Sequence, residues 1–212
     1  GEFDAIAIGP GLGKRRETQR AVRRLCRKLE MPVVVDADGL NAIAGATGVL
    51  LEARGPRVLT PHPGEMSRLL GHGDPARVQQ ERQPLAEDFA RRWRCALALK
   101  GAGTVVTNGD QAFINPTGNP GMATGGTGDV LTGLAVGLLA QGMTPLDALL
   151  LAVFVHGLAG DMAAHELGET SLVAEDVMDY IPQAFRAVGH GGQDVSGEEY
   201  KSLLTAARAD LS

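Results

Sequence analysis

Four glycine-bearing junctions hold the side chains that could do chemistry. The richest is Asn119-Pro120-Gly121-Met122-Ala123-Thr124-Gly125-Gly126-Thr127-Gly128-Asp129, which runs directly into the apolar stretch Val130–Ala140. A helix starting there presents the free backbone N–H groups of Gly126, Thr127 and Gly128 at the positive end of its dipole. Such a cradle suits an anion, phosphate above all. Asp129 stands beside it as an acceptor for a proton. Charge stabilisation, positioning and a base for an attacking hydroxyl are what phosphoryl transfer requires. No Lys-Ser or Lys-Thr pair follows the glycines, so the loop is not a Walker A motif. The bland alternative makes Asp129 a helix-capping residue and the glycines an ordinary loop.

The other three junctions are shorter. In Thr60-Pro61-His62-Pro63-Gly64-Glu65 the prolines fix their own φ and press Thr60 and His62 toward extended backbone, giving a stiff loop that presents His62 and Glu65. Lys100-Gly101-Ala102-Gly103-Thr104 follows an apolar run and offers a lysine where bare glycine backbone lets a phosphate approach; a solvated surface lysine is the alternative. Gly9-Pro10-Gly11-Leu12-Gly13 follows the first apolar run, and Asp36 ends the second. Its glycines miss the GxGxxG spacing, so a dinucleotide loop and a plain tight turn stay open. Asp38, ahead of Gly39-Leu40-Asn41, reads as a helix cap, with a magnesium or ligand contact as the alternative. His156 and His165 miss the i, i+4 zinc spacing and read as core or surface histidines. No metal-ligand set and no nucleophile-elbow serine stands out.

These junctions need a scaffold that brings strand ends together. Ala5–Ile8, Pro32–Asp36, Arg57–Thr60, Cys95–Leu99 and Thr104–Thr107 read as strands buried on both faces, with a shorter one at Ala112–Ile114. Arg15–Leu29, Gly39–Ala44, Glu65–Leu70 and Leu85–Trp93 read as helices between them, so a mostly parallel sheet with helices on both faces is expected. Asn108-Gly109 signals a hairpin and hence an antiparallel addition. Val130–Gln141, Pro145–Glu166 and Ala174–Val188 read as three closing helices, the first two apolar almost all round. Residues 4–188 form one domain in this reading, and 189–212 a loosely attached C-terminal tail.

Composition narrows the classes further. With 212 residues, 44% apolar and 21% charged, the chain is neither a disordered tail nor a coiled coil. A net charge of −5 without a long basic run argues against nucleic acid or a membrane surface as partner. Cys26 and Cys95 stand far apart in no CxxC pairing, which fits buried thiols in a reducing cytoplasm. The apolar runs Val130–Ala140 and Ala148–Val155 fall short of the about 18 residues of a membrane span. The opening straight into a strand, without an initiator Met, points to a fragment of a longer chain.

Together these residues resemble the ribokinase-like superfamily, whose anion-hole motif ends in an aspartate base as Gly126-Thr127-Gly128-Asp129 does. Within it, the chain is similar to the ADP/ATP-dependent NAD(P)H-hydrate dehydratases. The matching stretches are Ala7–Gly13, Val35–Asn41, Leu59–Glu65, Leu99–Thr104 and Thr117–Gly133, in the family's order and within residues 4–188. The Gly-Gly-Thr-Gly-Asp element fits several small-molecule kinases; Thr-Pro-His-Pro-Gly-Glu with Gly-Pro-Gly-Leu-Gly is more specific.

The resemblance implies a three-layer α/β/α domain with a mostly parallel sheet, here lacking its N-terminal strands, because the family carries further sequence before the first glycine loop. It also implies a repair reaction, a hydro-lyase step on the hydrated cofactors NADHX and NADPHX. The ring hydroxyl is phosphorylated by ADP or ATP with Mg2+, phosphate leaves, and the ring double bond returns. By position, Asp129 takes the hydroxyl proton and the amides of Gly126, Thr127 and Gly128 hold the phosphoryl group. Gly11, His62, Pro63, Gly64, Glu65, Met66, Ser67 and Arg68 meet the damaged dinucleotide. Lys100, Gly101, Ala102, Gly103 and Thr104, together with Asn119, Pro120, Gly121, Met122, Ala123, Thr124, Gly125 and the same Gly126–Gly128 turn, cradle the nucleotide. A carboxylate with an ordinary pKa near 4 is a feeble base for an alcohol, so the anion hole should count at least as much. Many members carry an epimerase domain upstream, and an uncovered sheet edge with apolar helices favours a homo-oligomer. Two other functions fit the same motifs: a kinase of a small alcohol such as a vitamin precursor, and a nucleotide-binding module without activity.

Overall fold

The computed structural model describes residues 3–71 and 74–189. Strands buried on both faces explain its layers. Six strands, β1 (Ile6–Ile8), β2 (Val33–Val35), β3 (Arg57–Leu59), β4 (Ala96–Leu99), β5 (Val105–Thr107) and β6 (Ala112–Ile114), form one sheet in that spatial order. Strands β1 to β4 are parallel, and β5 and β6 add as the antiparallel hairpin that Asn108-Gly109 foretells. Asn108 Oδ1 accepts from the amides of Asp110 and Gln111, which closes the turn.

Side chains alternate along each strand, so both faces need cover. Val33, Val35, Leu59, Leu97 and Leu99 pack beneath α1 (Arg16–Lys28), α2 (Ala37–Ile43), α3 (Pro63–Leu70), α4 (Pro75–Gln80) and α5 (Arg82–Trp93). Val34, Val58, Ala96, Ala98 and Val106 pack beneath α6 (Thr127–Ala140), α7 (Pro145–Leu167) and α8 (Ala174–Val188). The result is the expected three-layer α/β/α domain.

Several helices differ from expectation, α2 and α3 each starting two residues early, at Ala37 and Pro63. The short α4 was not foreseen; Asp74 caps it by accepting from the amides of Ala76 and Arg77, after which Pro75 sits in its first turn. The fifth helix starts at Arg82 rather than Leu85, and α6 starts at Thr127 rather than Val130. Helix α7 has 23 residues and a mean hydropathy of 1.6, long and apolar enough to cross a membrane, and most of it is buried between the sheet, α6 and α8. Residues 190–212, most of the expected tail, lie outside the described residues.

Candidate active site

The parallel register aligns Ile8 with Val35 and Val35 with Leu59, so the strands open their carboxyl ends on one side of the sheet. All four expected loops therefore share one rim, the usual binding position in such sheets. Helix α6 lays its N-terminus there: Thr132 donates its hydroxyl to Asp36 Oδ2 at 2.9 Å. A Cβ on Gly128 would stand 3.4 Å from Lys100 Nζ.

The early start of α6 builds the anion cradle. Gly126 is its N-cap at φ +96°, a conformation that favours glycine, and its carbonyl accepts from the amides of Asp129 and Val130. The amides of Gly126, Thr127 and Gly128 have no hydrogen-bond partner among the described residues. Gly125 and Gly126 are exposed and Gly128 half-buried, so these amides are open to a ligand. Thr127 is buried, its hydroxyl facing the carbonyls of Met122 and Thr124 at 2.9 Å each. Asp129 is exposed, with no hydrogen bond on its carboxylate among the described residues. It ends a mainly apolar groove of about 570 Å³ whose walls come from β1, α1 and α6.

A charged network that the sequence did not disclose underlies the cradle. Asp36, only 1% exposed, binds Lys100 Nζ through Oδ1 at 2.7 Å. Lys100 is thus largely buried rather than a solvated hook, with Glu65 Oε2 a further 4.0 Å away. Removing one partner of such a pair would leave an uncompensated buried charge. Glu65 also accepts from the backbone N–H of His62 at 2.9 Å, while His62 Nδ1 accepts from the amides of Gly64 and Glu65. This reciprocal capping box starts α3 and fixes the stiff loop.

The 62–68 stretch divides by helical spacing. His62 and Arg68 face solvent, and Arg68 Nε donates to Asn41 Oδ1 at 2.9 Å. Pro63 and Gly64 are half-buried, whereas Glu65, Met66 and Ser67 point inward. Met66 and Ser67, expected at the substrate, are 0% and 2% exposed, because α3 turns these positions toward the sheet. Gly11 is exposed at φ +71°. Asp38, expected as a cap, lies inside α2 and accepts from the Gly13 amide at 2.8 Å, tying the first glycine loop to the second helix.

The 100–104 loop has its own brace. Arg82 donates to the carbonyls of Leu99, Lys100 and Gly103, and Thr104 closes onto the Gly101 carbonyl. Gly101 adopts φ +137°, and a Cβ there would stand 2.9 Å from Arg82 Nη1. Asn119 opens its loop by accepting from the Gly121 amide, followed by a short 3-10 turn at Pro120–Met122. Among the described residues, no three acidic, histidine or cysteine side chains converge as a metal cage, and Asp36 and Glu65 are already engaged by Lys100.

His156, expected as a core or surface histidine, is partly buried, with Nε2 donating to the Thr127 carbonyl at 2.9 Å. Burial lowers its pKa to about 4 and also lowers that of His62. Both native values lie below the ordinary 6.5, so between those values the unfolded chain binds more protons than the folded one. The contribution of His156 is complete above pH 6.5 and is lost as pH falls toward 4, and that of His62 is lost in the same direction. Denaturant midpoints should drop across that window, with His156 accounting for up to about 3 kcal/mol. A His156→Phe variant should flatten the decline; an unchanged slope would exclude this histidine as its source.

A family model for NAD(P)H-hydrate dehydratase matches residues 1–183. The bifunctional NAD(P)H-hydrate repair enzyme of Moorella thermoacetica is 50% identical over 186 residues, covering 87% of this chain and 35% of that protein. That of Thermofilum pendens is 47% identical over 202 residues, covering 95% and 37%. The chain therefore spans about a third of the length of these curated relatives. The ADP/ATP-dependent NAD(P)H-hydrate dehydratase of Bacillus subtilis, co-crystallized with ATP/Mg2+, superposes with a TM-score of 0.78 at 37% identity, covering 87% of this chain and 64% of that one. A hydroxyethylthiazole kinase from Pyrococcus horikoshii superposes at 0.67 with 27% identity, covering 85% and 71%.

Proposed function

Because this chain belongs to the NAD(P)H-hydrate dehydratase family, we propose that it restores hydrated NADH and NADPH at the expense of ADP or ATP. The carrying observation is the set of open amides at Gly126, Thr127 and Gly128 with the unencumbered carboxylate of Asp129 beside them. In this reading the ring hydroxyl attacks the terminal phosphorus of the nucleotide, and the bond to the leaving phosphate breaks. Asp129 takes the hydroxyl proton as that P–O bond forms. The three amides and the α6 dipole carry the charge on the transferred group. The ring C–O bond of the new phosphate ester then breaks, inorganic phosphate leaves with the electron pair, a proton leaves the adjacent ring carbon, and the double bond returns. Lys100, fixed by Asp36, adds a cation beneath the cradle.

Magnesium fits as an ion carried by the nucleotide phosphates, since the described residues hold no carboxylate cage of their own. The buried free thiols of Cys26 and Cys95 support the cytoplasm as the working compartment. The second activity of the bifunctional relatives we assign to an epimerase in the part of those proteins beyond the match.

The test is incubation with hydrated NADH and ADP or ATP. Recovery of the cofactor's near-ultraviolet absorbance, with one phosphate released per ring restored, supports the reading. The likeness to hydroxyethylthiazole kinase favours a second reading, phosphorylation of a small alcohol. A stable phosphorylated product without cofactor recovery would select it instead.

A further inference from the structure

Residues 154–161 of α7 take no part in the reaction drawn above, yet one side of this segment meets the loop from Thr117 to Thr127. Thr117 donates its hydroxyl to the Phe154 carbonyl at 3.0 Å. A Cβ on Gly157 would stand 2.2 Å from Thr117 Oγ1, and one on Gly160 would stand 2.2 Å from Met122 Sδ. The two glycines therefore let the loop lie directly on the helix. Next to them is Asp161. Its Oδ2 accepts from the Gly118 amide at 2.8 Å and its Oδ1 from Asn119 Nδ2 at 2.9 Å. Asn119 Oδ1 in turn accepts from the Gly121 amide at 3.1 Å.

A carboxylate can only accept hydrogen bonds, so Asp161 dictates which way the Asn119 carboxamide faces. The amide group must turn to Asp161, which leaves the oxygen for Gly121. We propose that Asp161 is the positioning residue of the nucleotide loop: through Asn119 it fixes the turn from Asn119 to Gly126 against which the ADP or ATP phosphates rest. The inference rests on the proposed assignment of that loop to the nucleotide. Charge-assisted bonds of this kind are stronger than neutral ones, which suits a side chain that must hold an irregular loop in one orientation.

The test is a reciprocal exchange read by calorimetric titration with Mg-ADP and Mg-ATP. In Asp161→Asn, a carboxamide that keeps the Gly118 amide turns its own NH2 toward that of Asn119, and one bond must break. The dissociation constants should rise about tenfold, as one mismatched pair is worth. Asn119→Asp alone sets two carboxylates face to face and should weaken binding at least as much. The double variant Asp161→Asn with Asn119→Asp keeps the net charge and restores every donor–acceptor match, so it should bind more tightly than either single variant. Melting temperatures separate positioning from general damage: Asp161→Asn should melt close to the wild type. An unchanged affinity in Asp161→Asn, or a double variant no better than the singles, overturns the inference while the wild type still binds nucleotide. A wild type that binds neither nucleotide overturns the loop assignment and this inference with it.

Discussion

Replacing Asp129 with asparagine should lower turnover by roughly two to four orders of magnitude and leave nucleotide affinity nearly unchanged. That fall corresponds to about 3–5 kcal/mol of lost transition-state stabilisation. The substitution keeps size and shape but removes the negative charge and, with it, the capacity to take the proton. The fold should scarcely notice, because the carboxylate is exposed and holds no hydrogen bond among the described residues. Its only structural contribution is a negative charge in the first turn of α6, worth about 0.3–1 kcal/mol. Binding should persist because in the proposed reading the phosphates rest on the amides of residues 126–128 rather than on the carboxylate. Steady-state kinetics with hydrated NADH, paired with a calorimetric titration of ADP, separates the two quantities. A variant that turns over normally, or one that loses nucleotide affinity instead, would reduce Asp129 to a helix-end charge.

How far the fold and the candidate site could be read from the chain depends on the range of the interaction involved. The strands were legible because runs such as Val33-Val34-Val35 are apolar on both faces, and the β5–β6 hairpin because Asn108-Gly109 supplies its turn locally. The free amides at the start of α6 were legible because a glycine run leads directly into an apolar helix. What escaped was long-range pairing. Asp36 meets Lys100 across 64 positions and Thr132 across 96, spacings that no periodicity records. Asp161 reaches Gly118 across 43, and in sequence it resembles one more polar residue on an apolar helix. The burial of Met66 and Ser67 escaped for a different reason. They stand in a matched motif, but a motif does not say which way a helix turns, and Pro63 at the start of α3 sends both inward.

Gly9→Ala should leave little or no folded protein, although it adds one methyl group. Gly9 adopts φ +144°, and a Cβ there would stand 1.7 Å from the Asp36 carbonyl oxygen and 3.0 Å from the Gly39 amide nitrogen. Both obstacles are backbone, so no side chain can swing away. Gly39 is constrained from the other side, its own Cβ position lying 2.6 Å from the Ile8 carbonyl oxygen. The exits of β1 and β2 thus touch backbone to backbone, and this contact sets where α2 begins. A methyl group would force them apart at a cost above about 4 kcal/mol, a large part of an ordinary stability margin. Thermal unfolding should fall by roughly 10 °C or more, or show no transition. Gly11→Ala supplies the comparison. Gly11 is also left-handed, at φ +71°, but a Cβ there meets nothing within 4 Å. It should therefore cost only about 1–2 kcal/mol of backbone strain and remain folded. Equal melting curves for the two variants would show that β1 and β2 do not depend on that contact. A wide gap would place the constraint at Gly9, where a displaced Asp36 would carry Lys100 away from the anion cradle.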